Sequence, residues 1–188
     1  MTYLKPAELL KVLQAAKDKS ARDFCLILLG YKSGLRASEI CRLTLDDVRG
    51  GYLDVQRLKG SLHTRRPLQH HANPLLDEIQ ALAEYIKERG DADGSRILFI
   101  SRNGSGLTRR AVYNLFEDAA FKAGVEAGRR NPHILKHSLS THMRHAGMGI
   151  ELIRIALGHR DLKATACYLS VTSEEAGAAV DRTMAIFA

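Results

Sequence analysis

The sequence has few of the features that mark secreted, membrane-spanning or disulfide-bonded proteins. No apolar run reaches the roughly 18 residues that a membrane-spanning helix needs, and the segment Met1 to Pro6 lacks the apolar block of a secretory signal. The three cysteines, Cys25, Cys41 and Cys167, are scattered. They favour reduced thiols over a disulfide framework or a cysteine-based metal site. We therefore expect a cytoplasmic protein that does not bind membranes.

Internal repeats, low-complexity stretches and Pro- or Ser-rich linkers are also missing from the chain. Its 188 residues, 45% of them hydrophobic, are enough to bury the core of one medium-sized domain. We expect a single domain over residues 1–188, with a tail helix at about 173–187. The formal net charge of +7 favours a polyanion such as nucleic acid as the partner.

The spacing of apolar residues is mostly helical. It predicts helices at about 6–17, 21–33, 37–43, 74–88, 109–123, 132–145, 150–157 and 162–169. Alternation at 52–58 and 62–68, around the turn Lys59-Gly60-Ser61, predicts a β-hairpin, and 45–48 is a candidate third strand. The expected fold class is mainly α with a small antiparallel β-sheet (α+β).

The helix that opens at Asn131-Pro132 carries four histidines. A helical wheel predicts a core stripe and, opposite it, a cationic face: Leu135, Leu139, His142, Met143 and Ala146 against His133, Lys136, His137, Ser140 and Arg144. His133 and His137 have a spacing that can share a metal ion. Lys136 would lie against that ion, and no H-E-x-x-H pattern is present, so a metal site is disfavoured. An ordinary solvated face is the simple alternative.

A phosphate group suits these residues better than a metal cation. Arg36 follows a glycine turn, and Glu39, three residues later, lies on the same helix face and can hold the guanidinium. Lys59 is in the hairpin turn, His159 follows a helix-ending glycine, and Tyr168 is in the next predicted helix. Each position alone is typical of an ordinary structural residue.

Taken in order, these segments resemble the catalytic boxes of the tyrosine recombinases, the phage integrase family. The matching parts are Gly34–Ile40, Lys59, His133–Ser138, Leu157–His159 and Tyr168. The stretch 21–29 is similar to the fimbrial phase-variation recombinases, which are equally short and are essentially a catalytic domain alone. The resemblance covers nearly the whole chain and implies the fold of a tyrosine recombinase catalytic domain.

The resemblance implies a site-specific DNA recombinase that cleaves and rejoins strands without a metal or other cofactor. Tyr168 would attack the scissile phosphate, form a 3′-phosphotyrosyl link and release a 5′-hydroxyl. His133 would take the tyrosine proton, and Lys59 would give a proton to the departing oxygen. Because the covalent link stores the bond energy, no ATP is needed.

The same resemblance assigns the groups that stabilise charge. Arg36 and Lys136 would neutralise the non-bridging oxygens in the transition state, and His159 would add a hydrogen bond there. Glu39 would orient the cluster. The family usually has arginine at the position of Lys136. Lysine keeps the positive charge but loses the planar, two-pronged grip on a phosphate.

Most family members also carry an N-terminal core-binding domain, which we do not expect here. That difference, with Lys136, leaves one alternative function: a non-catalytic DNA-binding module that retains the recombinase fold. A histidine-helix metalloprotein is a third and weaker interpretation.

Double-stranded DNA is the expected partner, contacted mainly through its backbone. Candidate contacts with phosphate are Arg57, Arg65, Arg66, Arg109 and Arg110, and further candidates are Arg102, Arg129 and Arg130. Arg109 and Arg110 begin a predicted helix, and a helix start can also contact bases in a groove. The resemblance implies a homo-tetramer in the synaptic complex, a monomer in solution, accessory DNA-bending proteins and association with the nucleoid. The tail helix would dock on its own core or on a neighbouring copy.

Overall fold

The computed structural model describes residues 3–58, 60–90 and 94–161. The helices expected at 162–169 and 173–187 lie outside the described residues, as do Lys59 and Tyr168. Among the described residues, no helix combines the length and apolar character that crossing a membrane requires.

The described residues form a mainly helical fold with one two-stranded antiparallel sheet, as predicted. The helices are α1 (Pro6–Lys17), α2 (Ala21–Lys32), α3 (Ala37–Ile40), α4 (Glu78–Arg89), α5 (Arg109–Lys122), α6 (His133–His145) and α7 (Ile150–Ala156). The strands are β1 (Tyr52–Val55) and β2 (Thr64–Pro67), with Tyr52 opposite Pro67. The hairpin and most helix bounds differ from the predicted ones by only a few residues.

Helix α2 is the centre of the core. Ser20 caps its start, because the Ser20 side chain accepts a hydrogen bond from the Asp23 N–H at 3.1 Å. Every residue from Asp23 to Gly30 is buried, and the helix packs against α1, α4 and α6. This packing fixes the C-terminal end of α2, from which the chain turns into the segment that carries Arg36.

The third strand predicted at 45–48 is wrong. Residues Asp46–Gly51 form a 3-10 turn, in which the Asp47 carboxylate accepts hydrogen bonds from the Thr44 N–H at 2.7 Å and the Thr44 hydroxyl at 2.9 Å. Such local bonds from a side chain to the backbone compete with strand pairing. The turn leads directly into β1.

Helix α6 packs differently from the two-faced helix that the wheel predicts. Ile134 and Leu135 are buried as core residues, but Lys136 and Ser140 on the predicted cationic face are each only 1% exposed. The reason is tertiary, because α6 packs against α2 and α7, and the Lys136 ammonium bonds the Leu157 carbonyl at the end of α7. Pro132 has helical torsion angles and stands at the start of α6, and it makes no side-chain cap there.

The hairpin is held to the helices by a buried carboxylate. Glu78, at the start of α4, is fully buried, pairs with Arg66 of β2 and lies 3.1 Å from the Lys32 ammonium. Arg66 also donates to the Ser33 hydroxyl at 2.9 Å. Glu78 therefore connects α4, the end of α2 and the hairpin.

Replacing this carboxylate should loosen the hairpin. We expect Glu78→Gln to lower the free energy of unfolding by about 2 kcal/mol, because it removes charge-assisted hydrogen bonds from a buried site. Glu84→Gln, on the exposed side of the same helix, should change it by less than about 0.5 kcal/mol. Urea unfolding measures both, and equal stability of the two variants would contradict this role of Glu78.

Candidate active site

Arg36 lies in the turn between α2 and α3. Gly34, two residues earlier, has a φ of 55°, which favours glycine, and a Cβ there would meet a methyl group of Leu157 at 2.7 Å, so a larger residue would have to displace that side chain. The Arg36 guanidinium donates through Nη1 to Glu39 Oε1 and to Ser61 Oγ, both at 3.1 Å. Within the described part of the chain, Nε and Nη2 make no hydrogen bond, and the side chain is 34% exposed. Arg36 can therefore bind an incoming group.

Glu39 is the buried carboxylate behind Arg36. It accepts the Arg36 backbone N–H at 2.8 Å, and its side chain is fully buried. Burial would raise the pKa of Glu39, but the Arg36 N–H and the charges of Arg57, Arg36 and Lys136 together hold this pKa below its ordinary value. Glu39 is therefore ionised at neutral pH, and it holds the arginine in place.

Arg57 does not lie where a DNA contact could form, so this prediction is wrong. Its side chain is 1% exposed, and its guanidinium donates to the Ser33 carbonyl at 2.7 Å and to Glu39 at 3.2 Å. The cause is that carbonyl and carboxylate acceptors surround the end of β1. Arg57 is part of the protein interior next to the site.

Lys136 is buried beside these arginines. Its ammonium donates to the Leu157 carbonyl at 2.8 Å. Burial, followed by the charges of Arg36 and Arg57, lowers the pKa of Lys136 to about 7. A lysine with this pKa exchanges its proton near neutral pH, so a nearby anion can change its charge.

His159 reaches the same cluster from the end of α7. Its backbone forms an antiparallel bridge with Ser61, and the Leu62 N–H donates to the Gly158 carbonyl at 2.9 Å. Burial, and then the charges of Lys136, Arg36 and Arg57, lower the pKa of His159 to about 4. Its imidazole is therefore neutral at physiological pH.

His133 and Arg36 line one small cleft of about 130 Å³, together with Arg109 and Tyr113. Partial desolvation, followed by the charges of Lys136 and Arg36, lowers the pKa of His133. The neutral imidazole can accept a proton. The cleft thus combines a cation with a base.

The charges around the cleft suit an anion. Arg36, Arg57 and Lys136 contribute basic groups, whereas Glu39 is the carboxylate that they share. In the part of the chain that the structure describes, no group of three or more His, Cys, Asp or Glu side chains is arranged to hold a metal ion.

The other predicted DNA contacts divide into two groups. Arg65 is 61% exposed and lies over the Tyr52 ring at 4.6 Å, and Arg109 and Arg110 are exposed at the start of α5. Arg66 is instead paired with the buried Glu78. The exposed arginines remain available to a polyanion, and Arg66 serves the hairpin.

Two residues at the site were missed from the sequence. Ser61 holds Arg36, and Tyr113 lines the cleft. Tyr113 could have been found, because it lies four residues after Arg109 and therefore on the same face of α5. For Ser61, the only indication in the sequence of a place in the site was its position two residues after Lys59.

Comparison with known proteins gives a family. The model of the phage integrase family matches residues 2–175. The fimbriae regulatory protein FimE of Escherichia coli is 35% identical over 173 residues, which cover 88% of this chain and 84% of FimE. The tyrosine recombinase XerA of Pyrococcus furiosus is 33% identical over 184 residues, which cover 95% of this chain but 60% of XerA.

Solved structures share the fold. The crystal structure of XerA recombinase superimposes with a TM-score of 0.79 at 22% identity, over 97% of this chain and 65% of that one. The site-specific recombinase XerH bound to its difH substrate gives 0.78 at 24% identity, over 96% and 54%. The chain thus spans about half to two thirds of the length of these solved structures.

The low pKa of Lys136 predicts a distinctive pH profile for any reaction that needs its charge. In the protein without bound DNA, Lys136 is charged below its pKa of about 7 and neutral above it. Activity at subsaturating DNA should therefore fall as the pH rises from about 7 to about 9. Lys136→Arg stays charged and should remove this fall while keeping cleavage.

The exposed lysine Lys11 provides the control, because Lys11→Arg should keep the wild-type profile. The measurement is the initial rate of cleavage against pH. Complete loss of cleavage in Lys136→Arg would contradict a role based on charge.

Proposed function

This chain belongs to the phage integrase family and is a tyrosine-type site-specific recombinase, and we propose that it cuts and rejoins DNA through a covalent link to Tyr168. The observation that carries this proposal is the cleft in which Arg36 and His133 meet. A phosphodiester in this cleft would face a neutral imidazole and a cation whose Nε and Nη2 make no hydrogen bond to the described residues.

The cleft supports phosphoryl transfer for an electrostatic reason. Negative charge builds up on the non-bridging oxygens in the transition state, and fixed positive groups stabilise it without reorganising. Arg36 offers Nε and Nη2 directly. Lys136, held by the Leu157 carbonyl, contributes charge from the interior, and a bound phosphate favours its protonated form.

The remaining steps need proton transfers. A free tyrosine has a pKa of about 10, so at neutral pH Tyr168 needs a base to become a nucleophile. His133 takes this proton in our proposal, and Lys59 gives one to the departing 5′-oxygen. His159, neutral and buried, donates a hydrogen bond to the phosphate. Glu39 orients Arg36 throughout.

Double-stranded DNA is the proposed substrate. XerH was solved with its difH substrate, and a lambda integrase dimer with a core site, and the net charge of +7 here suits the same type of ligand. Arg65, Arg109 and Arg110 would contact its backbone. We propose that four copies assemble on paired sites with accessory DNA-bending proteins. The alternative of a non-catalytic DNA-binding module is not favoured.

The nucleophile is tested by covalent trapping. Nicked duplexes cut from the region around the chain's own gene should give a denaturation-resistant protein–DNA adduct with the wild-type protein. Tyr168→Phe should bind the same duplexes and give no adduct, because phenylalanine lacks the attacking oxygen. Tyr52→Phe, at an exposed position of the hairpin, should still give the adduct. An adduct formed by Tyr168→Phe would refute the assignment.

Independence from metal is a separate test. Because arginine and lysine charges stabilise the phosphate in this mechanism, adduct formation should survive an excess of EDTA. Loss of the adduct in EDTA, followed by its recovery with zinc, would instead support the pair His133 and His137 as a metal site.

A further inference from the structure

We infer that Arg57 is a positioning residue that binds three separate segments of the chain together and so fixes the phosphate-binding side of the cleft. The inference rests on the proposed recombinase function, and it assigns Arg57 a role without any contact to DNA. Its basis is the set of hydrogen bonds that this one side chain makes.

The guanidinium of Arg57 uses all of its N–H donors inside the protein. Nε donates to Thr64 Oγ1 at 2.9 Å, and Nη1 donates to the Gly34 carbonyl and to Glu39 Oε2, both at 3.2 Å. Nη2 donates to the Ser33 carbonyl at 2.7 Å and to the Ala156 carbonyl at 3.5 Å. A guanidinium has five N–H donors, and these acceptors account for each of them.

The acceptors belong to segments that are far apart in sequence. Ser33, Gly34 and Glu39 belong to the turn that carries Arg36, Thr64 belongs to the second strand of the hairpin, and Ala156 is the end of α7. Each segment supplies a residue of the proposed site. Arg57 lies between these segments, so its position determines how they meet.

Further contacts near Arg57 join the hairpin to the Arg36 turn and to the end of α7. Ser61 of the hairpin turn bonds Arg36 through Oγ and pairs through its backbone with His159. A Cβ on Gly158 would meet Arg57 Nε and the Leu62 carbonyl, each at 3.1 Å. The hairpin turn, the Arg36 turn and the end of α7 are therefore packed around one guanidinium.

Lysine cannot take over this role. Its ammonium has three donors at a single point, whereas the acceptors here lie around the planar fork of arginine. Arg57→Lys keeps the charge beside Glu39 but leaves acceptors of at least one segment without a donor. We expect the segments to shift relative to one another, which moves Arg36 and His159 away from their places.

The test compares Arg57→Lys with wild type on a nicked duplex that traps the adduct. A misplacement of about 1 Å at a reacting centre can cost a factor of about 100. We therefore expect adduct formation at saturating DNA to slow by about 10- to 100-fold. DNA affinity and its dependence on salt should stay as in wild type, because Arg57 touches no phosphate.

Two further variants support the comparison. Thr64→Val removes only the acceptor of Arg57 Nε, keeps the arginine and the shape of the strand, and should slow the adduct step by about 3-fold. The Thr64→Val variant keeps the inference testable if Arg57→Lys does not fold. Arg49→Met removes an arginine that is 81% exposed and pairs with Asp46, and it should change neither rate nor affinity.

Hydrogen exchange provides a readout that does not need DNA. The amide of Leu62, bonded to the Gly158 carbonyl, should exchange faster in Arg57→Lys and in Thr64→Val, whereas the amides of α1 should not. If the wild-type protein forms no adduct but the Leu62 amide exchanges faster in the two variants, then the proposed function fails and the structural role of Arg57 stands.

Two results would overturn the inference. One is that Arg57→Lys forms the adduct at the wild-type rate with unchanged exchange at Leu62. The other is that it weakens DNA binding and reduces the salt dependence by about one phosphate contact, which would place Arg57 on the DNA.

Discussion

The ionised carboxylate of Glu39 is the interaction on which the rest of the site depends. A buried carboxylate is costly unless cations and hydrogen bonds compensate for its lost hydration, and here the fully buried Glu39 is matched by Arg36 and Arg57. The two arginines share this partner unequally. Arg57 turns all of its donors inward, whereas the Arg36 guanidinium gives Glu39 and Ser61 only Nη1, and its Nε and Nη2 make no hydrogen bond among the residues that the structure describes. One negative charge thus holds two positive groups close together, which their mutual repulsion would otherwise oppose.

Burial and the excess of positive charge over this one carboxylate together explain the titration of the neighbouring groups. Burial is the largest cause that lowers the pKa values of His133, Lys136 and His159, and nearby positive charges lower them further. The histidines are consequently neutral at physiological pH, and a neutral imidazole can accept a proton. Lys136 lies near its midpoint at neutral pH, so an anion that binds beside it favours its positively charged form.

The sequence predicts the local features and misses those that tertiary contacts decide. The contact between Arg36 and Glu39 spans three residues, so spacing alone predicts it. The burial of Lys136 depends on α7, which lies more than ten residues further along the chain. The burial of Arg57 depends on acceptors in the turn at 33–39 and at the end of α7. Before those two segments are placed, an arginine in a basic hairpin resembles a DNA contact. The turn at Asp46–Gly51 replaced a strand because Asp47 bonds locally.

The most direct test of this account is a structure of the Tyr168→Phe protein bound to duplex DNA. The account predicts a backbone phosphate within hydrogen-bonding distance of the free edge of the Arg36 guanidinium and next to His133, with Arg57 still bonded to Glu39. A phosphate bound outside this cleft, or Arg57 turned away from Glu39 to hold the DNA, would contradict it.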